Sequence, residues 1–182
     1  MALSDAELIA GVLAHDDHEA FRELVLRHQS GLRAWLRQLT RGDYAWADDL
    51  AQETFVTAYR QLKSFRAEGK FSSWLFAIAH RRFCSEARAR REFVTLDEVP
   101  AESFSDLKEP SFDLAEGWDD LARGLASLTT AQRTAITLCY QQGLTHEEAA
   151  AVLDCALGTL KTNILRGKGR LLRYFQRQEA AH

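Results

Sequence analysis

Lys161, Thr162, Asn163, Arg166, Lys168 and Arg170 crowd into one short stretch, and no acidic residue occurs from Ala156 to Gln178. Guanidinium, ammonium and amide groups at that density suit hydrogen bonds to base edges and phosphate oxygens. Between them, Leu157, Leu160, Ile164, Leu165, Leu171 and Leu172 recur at roughly helical spacing, which predicts a helix that carries them inward. Just upstream, Thr145 and Glu148 have the spacing of a capping box ahead of Ala149, Ala150, Val152 and Leu153. Asp154 and Cys155 would make the tight turn between the two helices. A short helix, a turn and a basic second helix read as a helix-turn-helix, whose second helix lies in a DNA major groove. Residues 144–173 are therefore expected to bind DNA.

Two further constellations stand out. Asp48, Asp49, Gln52 and Glu53 precede Thr54, and positions 49, 52 and 53 share one face of a helix. That face is either solvated and dipole-stabilising or a docking surface for a basic partner. Residues 64–71 form a polar loop with a glycine (Ser64, Phe65, Arg66, Ala67, Glu68, Gly69, Lys70, Phe71) that leads into a helix burying Trp74 and Ile78. That helix ends with Arg81, Arg82, Arg88, Arg90 and Arg91, opposed only by Glu86. The arginines could serve the helix dipole, or they could track phosphates while bases stack on the neighbouring rings.

Other chemistry is disfavoured. His15, Asp16, Asp17 and His18 look like ligands, but they fall at a helix junction where caps and solvated histidines are ordinary, so no metal is expected. Cys84, Cys139 and Cys155 are far apart with no C-x-x-C pair, which predicts reduced thiols. No nucleophile elbow, phosphate loop, dinucleotide-binding glycine pattern or H-E-x-x-H motif occurs, so neither enzymatic activity nor a cofactor is expected.

The elements that hold these residues are helical. The 182 residues carry a net charge of −3, so the basic residues act as local patches rather than as a general nucleic-acid coat. No apolar run approaches the roughly 20 residues of a membrane span. The acidic start MALSDAELIAG lacks the pattern of a signal peptide, and the chain stops soon after the basic helix, which predicts no further regulatory domain. Both prolines, Pro100 and Pro110, fall within residues 95–117, an acidic, aperiodic stretch read as a flexible linker. Ser4 with Glu7 predicts a first capped helix, and Phe21 to Leu39 a long second one. Ala47 to Leu62 supplies a third and Trp74 to Phe83 a fourth. Thr129 with Gln132 caps a fifth that runs into the helix-turn-helix. The expectation is an all-α chain of two small helical domains, 1–94 and 118–182, the second containing the helix-turn-helix.

Three segments, DDLAQETFVTAYRQL, FRAEGKFSSWLFAIAHRR and LTTAQRTAITLCYQQGLTHEEAAAVLDCALGTLKTNILRGKGRL, resemble the extracytoplasmic-function sigma factors of bacterial RNA polymerase. The resemblance covers roughly residues 21–91 and 125–175. It implies that Asp49, Gln52 and Glu53 dock on the clamp helices of the polymerase β′ subunit. It implies that Phe65, Arg66, Lys70 and Phe71, with His80, Arg81, Arg82, Arg88 and Arg91, meet the −10 element as the duplex opens. Extruding a base costs a few kcal/mol, which a fitted pocket offsets. Thr159, Lys161, Thr162, Asn163, Arg166, Lys168 and Arg170 would read the −35 element, and the same domain would contact the β flap. The linker would thread toward the polymerase active-site channel. The family further implies promoter-directed initiation of transcription by a monomeric, cytoplasmic protein, without membrane insertion of its own and restrained by a soluble or membrane-linked anti-sigma factor.

The chain departs from the family in places. Arg81 stands where Asn is frequent, and Asp154 and Ala156 where Gly and Pro are common. Asp tolerates the left-handed turn needed there. Gly167 and Gly169 each cost about 1 kcal/mol in a helix interior, which predicts fraying at the end of the basic helix. The rival expectation is a dimeric regulator that binds a palindrome unaided.

Overall fold

The computed structural model describes residues 3–66, 69–96 and 116–179, all helix and connecting turn with no strand among them. Residues 97–115, most of the expected linker, lie outside the described residues, as do Ala67, Glu68 and the side chain of Arg91.

Four helices build the N-terminal part. Helix α1 (Asp5–His15) opens on the Ser4–Glu7 capping box. Asp16 ends it in the left-handed conformation at φ 51° and accepts the Tyr59 hydroxyl, and Asp17 caps α2 (His18–Leu39) through the Glu19 and Ala20 amides. The acidic and histidine residues of that junction are thus used to join helices. Asp43 caps α3 (Tyr44–Gln61), whose last residue leads into a 3-10 turn at Leu62–Ser64. Helix α4 (Phe71–Leu96) runs two residues past the expected domain end. Leu24, Leu32, Trp35, Leu36, Leu50, Leu62 and Leu75 are fully enclosed, and Phe76 meets the Trp35 ring edge-on at 5.1 Å. Such a stripe of large apolar side chains supplies most of the stability of helices that would be marginal alone.

The C-terminal part begins earlier than expected, with α5 (Glu116–Ala126). Thr129 and Gln132 form their capping box at the start of α6 (Thr130–Ile136), which widens into a π-helical turn at Thr137–Gln141. Thr145 and Glu148 form theirs at α7 (His146–Val152). Asp154 turns the chain at φ 49°, as an Asp at that position can, into α8 (Leu157–Glu179).

One expectation for α8 is corrected. Leu165 and Leu172 point outward, at 73% and 60% exposure, because Ile164 and Leu171 take the inward positions and the next residue lies about 100° around the helix. The helix runs on through both of its later glycines. Gly167 is buried against α6, where a Cβ would come within 2.6 Å of Ile136 Cδ1. Its missing side chain lets the two helices approach.

The two parts touch along α4 and α7 and along α2 and α6. One apolar cluster passes through both, joining Phe71, Leu75, Ile78 and Ala79 to Leu144, Ala149, Ala150 and Val152.

Candidate nucleic-acid and protein interfaces

On α3, Asp49, Gln52 and Glu53 are all exposed and lie on one side of the helix. Asp48, next in sequence, turns instead toward α2, 3.7 Å from Arg33 and 3.6 Å from Arg37. Val56 extends the exposed row by one turn with 42% of its surface free. Sequence reasoning passed over it, although its place three and four residues after Glu53 and Gln52 was visible. The row is therefore acidic and amide-bearing with an apolar end.

The second surface is built by the loop before α4 and by α4 itself. Phe65, Phe71 and Trp74 form a mutual aromatic cluster with centroids 5.4–5.8 Å apart. Phe71, expected to meet DNA, is 3% exposed and also packs against His28 at 5.2 Å, so it is the floor of the cluster. Phe65 and Trp74 are half-buried and present what aromatic surface there is. Trp74 was expected inside the core and belongs instead to this rim.

The cations differ in how far they are shielded. Arg82 is held by Glu53 at 3.1 Å, by Glu86 at 3.8 Å and by the Thr57 hydroxyl at 3.5 Å. Arg90 stacks on Trp46 at 3.9 Å and pairs with Asp43 at 3.6 Å, while Trp46 donates its indole N–H to Glu86 at 2.9 Å. Glu53 and Asp43 thus oppose the arginines as well as Glu86, which sequence order alone did not reveal. Arg66, Lys70, Arg81 and Arg88 are exposed. Arg81 folds back to donate to the Ala77 carbonyl at 3.2 Å, and Lys70 pairs with Glu148 at 3.3 Å. His80 is half-buried beside Trp35 and Cys84, and burial together with Arg81 lowers its pKa against the opposing pull of Asp154.

The third surface is α8. Thr159, Thr162, Arg166 and Arg170 are exposed along one line of the helix, with the Thr162 hydroxyl bonded to the Gly158 carbonyl at 2.8 Å. Lys161 and Lys168 are exposed on a neighbouring line shared with Leu165 and Leu172, and Lys168 sits 4.3 Å over the Tyr140 ring. Asn163 is half-buried, on the edge of the core. The arrangement offers one cationic and hydroxyl-bearing line for nucleic acid and a lysine–leucine line next to it. The three cysteines are free and half-buried, and burial raises the pKa of each thiol. No group of three or more His, Cys, Asp or Glu among the described residues could hold a metal. No helix there is long and apolar enough to cross a membrane.

Comparison with known proteins places these surfaces in context. The chain matches Sigma-70 region 2 over residues 24–93 and Sigma-70 region 4 over residues 118–171. It is 34% identical over 178 residues to the ECF RNA polymerase sigma-E factor of Escherichia coli K12, covering 91% of each chain. It is 31% identical over 154 residues to the ECF RNA polymerase sigma factor EcfG of Rhodopseudomonas palustris, covering 84% of this chain and 83% of that one. Among solved structures, the sigma factor RpoE in complex with the anti-sigma factor NepR, from Bartonella quintana, is similar at a TM-score of 0.70 and 32% identity, over 86% of this chain and 96% of that one. CnrH in complex with the cytosolic domain of CnrY is similar at a TM-score of 0.65 and 25% identity, over 95% of both chains.

Proposed function

Because the chain belongs to the extracytoplasmic-function sigma factors of bacterial RNA polymerase, we propose a division of labour among its three surfaces. The α3 row of Asp49, Gln52, Glu53 and Val56 docks on the clamp helices of the polymerase β′ subunit. The Phe65–Trp74 rim, with Arg66, Lys70, Arg81 and Arg88 around it, takes up the −10 element as its strands separate. The Thr159, Thr162, Arg166 and Arg170 line reads the −35 element, and the lysine–leucine line beside it suits contact with polymerase. Residues 1–94 and 118–182 are the two working units, and residues 95–117 run between them inside the polymerase. An anti-sigma factor restrains the protein in the cytoplasm; one similar structure is a complex with such a partner.

The observation that carries this reading is the exposed α8 line with no acidic residue on the helix until its last residue, Glu179. Arginine in that position discriminates bases by about 1–3 kcal/mol when its contact is bidentate, and each phosphate contact adds salt-dependent affinity.

Run-off transcription from a randomised promoter library, with purified core polymerase, tests the proposal. Transcripts from a two-element promoter that need both the protein and core polymerase are the expected result. Their absence, together with tight binding of a palindrome by the protein alone, would overturn it in favour of a dimeric regulator.

A further inference from the structure

Helix α2 buries Leu32, Trp35, Leu36 and Leu39 in the N-terminal core. Its other face, at Ala34, Arg37 and Gln38, turns toward the C-terminal part and carries no large apolar side chain. Across from it, Leu125, Leu128 and Ile136 form a smaller apolar cluster with Leu171, separate from the main core. Short and polar side chains do not close the space in front of that cluster. A cavity of about 480 Å³ remains, bounded by α2, α5, α8 and the α6 stretch with its π-helical turn. Sites for small molecules are of this size and pair an apolar wall with a few polar groups. Here Leu121, Leu125, Ile136 and Leu171 give the apolar wall, and Arg37, Gln38, Tyr140 and Gln141 the polar one.

None of the described residues lining the cavity is acidic. Arg37 places Nη2 3.6 Å from Asp48 and lies over the Tyr44 ring at 4.9 Å, but its Nε is buried with no hydrogen-bond partner among the described residues. Lys168 stands over Tyr140 at the cavity's margin. A Cβ at Gly31 would lie 2.7 Å from Gln142 Oε1, while Arg41, after the other end of α2, acts on Arg133 at the start of α6. The two helices therefore run antiparallel, with the cavity between those ends. Arg133 is 2% exposed, one turn before Thr137 of the cavity wall, and its Nε and Nη2 are unpartnered as well. Burial and the like charge of Arg41 push its pKa down to about 10, so it remains protonated near neutrality. A buried cation without an anion is costly until one is supplied. Unmet guanidinium donors beside an apolar wall define one kind of occupant.

We infer that this cavity is a binding site for a small amphipathic anion, a molecule with an apolar body and a single anionic head. The body lies against Leu121, Leu125, Ile136 and Leu171 and displaces water from them. The head accepts hydrogen bonds from Arg37, whose planar guanidinium matches a carboxylate, and brings negative charge toward the Arg41 and Arg133 end. Both parts of the chain contribute walls, so an occupant binds the folded molecule alone and stabilises it by mass action.

The test is isothermal titration calorimetry of the full chain with octanoate, octanol and acetate, paired with amide NMR shifts to locate the bound probe. Octanoate should saturate a single site per chain and shift the amides of Ile136 and Thr137. Octanol lacks the charge and acetate the apolar body, so each should bind about tenfold or more weakly, as when one charged hydrogen bond or one apolar contact set is lost. Arg37→Gln should weaken octanoate about tenfold and leave octanol unchanged. Ala122→Phe, which fills the cavity from α5, should abolish octanoate binding. If either variant fails to fold, the ranking of the three probes on the wild type and the position of the shifted amides decide by themselves. Octanol binding as tightly as octanoate would overturn the proposal. So would the absence of saturation, or shifts confined to the Phe65–Trp74 rim or to the outer lines of α8.

Discussion

At the scale of single residues, Arg82 joins two surfaces, because its guanidinium holds Glu53 of the α3 row while it sits on the cationic side of α4. Arg82→Ala is therefore expected to weaken both core-polymerase binding and promoter opening, whereas Arg81→Ala should affect opening alone. Fluorescence titration of core polymerase and permanganate footprinting of the melted strand separate the two effects. Asp49→Ala with Gln52→Ala should lower affinity for core polymerase and leave DNA contacts of the C-terminal domain intact. Unchanged affinity in the same titration would remove the row from the docking face. Phe71 and Phe65 contrast in the same way. Phe71→Ala empties a buried site and should cost about 3–5 kcal/mol, seen as a lower melting temperature. Phe65→Ala should leave melting nearly unchanged and impair strand opening. The sequence marked both rings for DNA contact, since residue type and loop position are alike; only packing distinguishes floor from rim.

At the scale of elements, the three capping boxes were readable because a Ser or Thr followed by Glu or Gln at the third position has a direct physical meaning. Helix α5 was not, because acidic Glu116 to Asp120 and two glycines resemble the linker that precedes them, and its support comes from distant partners. Leu125 and Leu128 pack with Ile136 and Leu171. Periodicity placed α8 correctly but put Leu165 and Leu172 inside, since adjacent leucine pairs leave the face ambiguous by one position. The glycines of α8 give a prediction opposite to simple propensity at one site. Gly169→Ala meets nothing within 4 Å and should stabilise by about 1 kcal/mol. Gly167→Ala should instead destabilise by about 1–3 kcal/mol, because Ile136 and Gln132 must move. Thermal unfolding of the two variants side by side tests the difference in sign.

At the scale of the whole molecule, the fold class was legible in the sequence while the seam between its parts was not. Nothing in local pattern distinguishes Arg133, enclosed beside a second arginine, from an ordinary exposed helix residue, and nothing pairs Lys70 with a carboxylate 78 positions away. The seam carries a pH dependence whose sign follows from Glu148. Lys70 across the seam helps hold its pKa below the ordinary 4.5, so it favours the closed molecule when deprotonated, whereas the lowering of His80 comes from burial and Arg81 and is opposed by Asp154 across the seam. The Glu148 contribution is complete above pH 4.5 and is lost on acidification as Glu148 protonates. Scattering measured from neutral to acidic pH should show the radius growing; a radius that shrinks or holds steady would contradict the assignment. The Thr145 amide already fixes the Glu148 carboxylate at 2.7 Å within its own helix, whether or not the domains meet. Closing the Lys70 pair therefore restricts one flexible chain rather than two, a saving in rotamer entropy for a long side chain of up to about 2 kcal/mol. A contact so prepared can form and break repeatedly without refolding either partner, on the microsecond-to-millisecond scale of domain motions. Exchange between the paired and the unpaired state then follows the motion of one lysine toward and away from a waiting carboxylate.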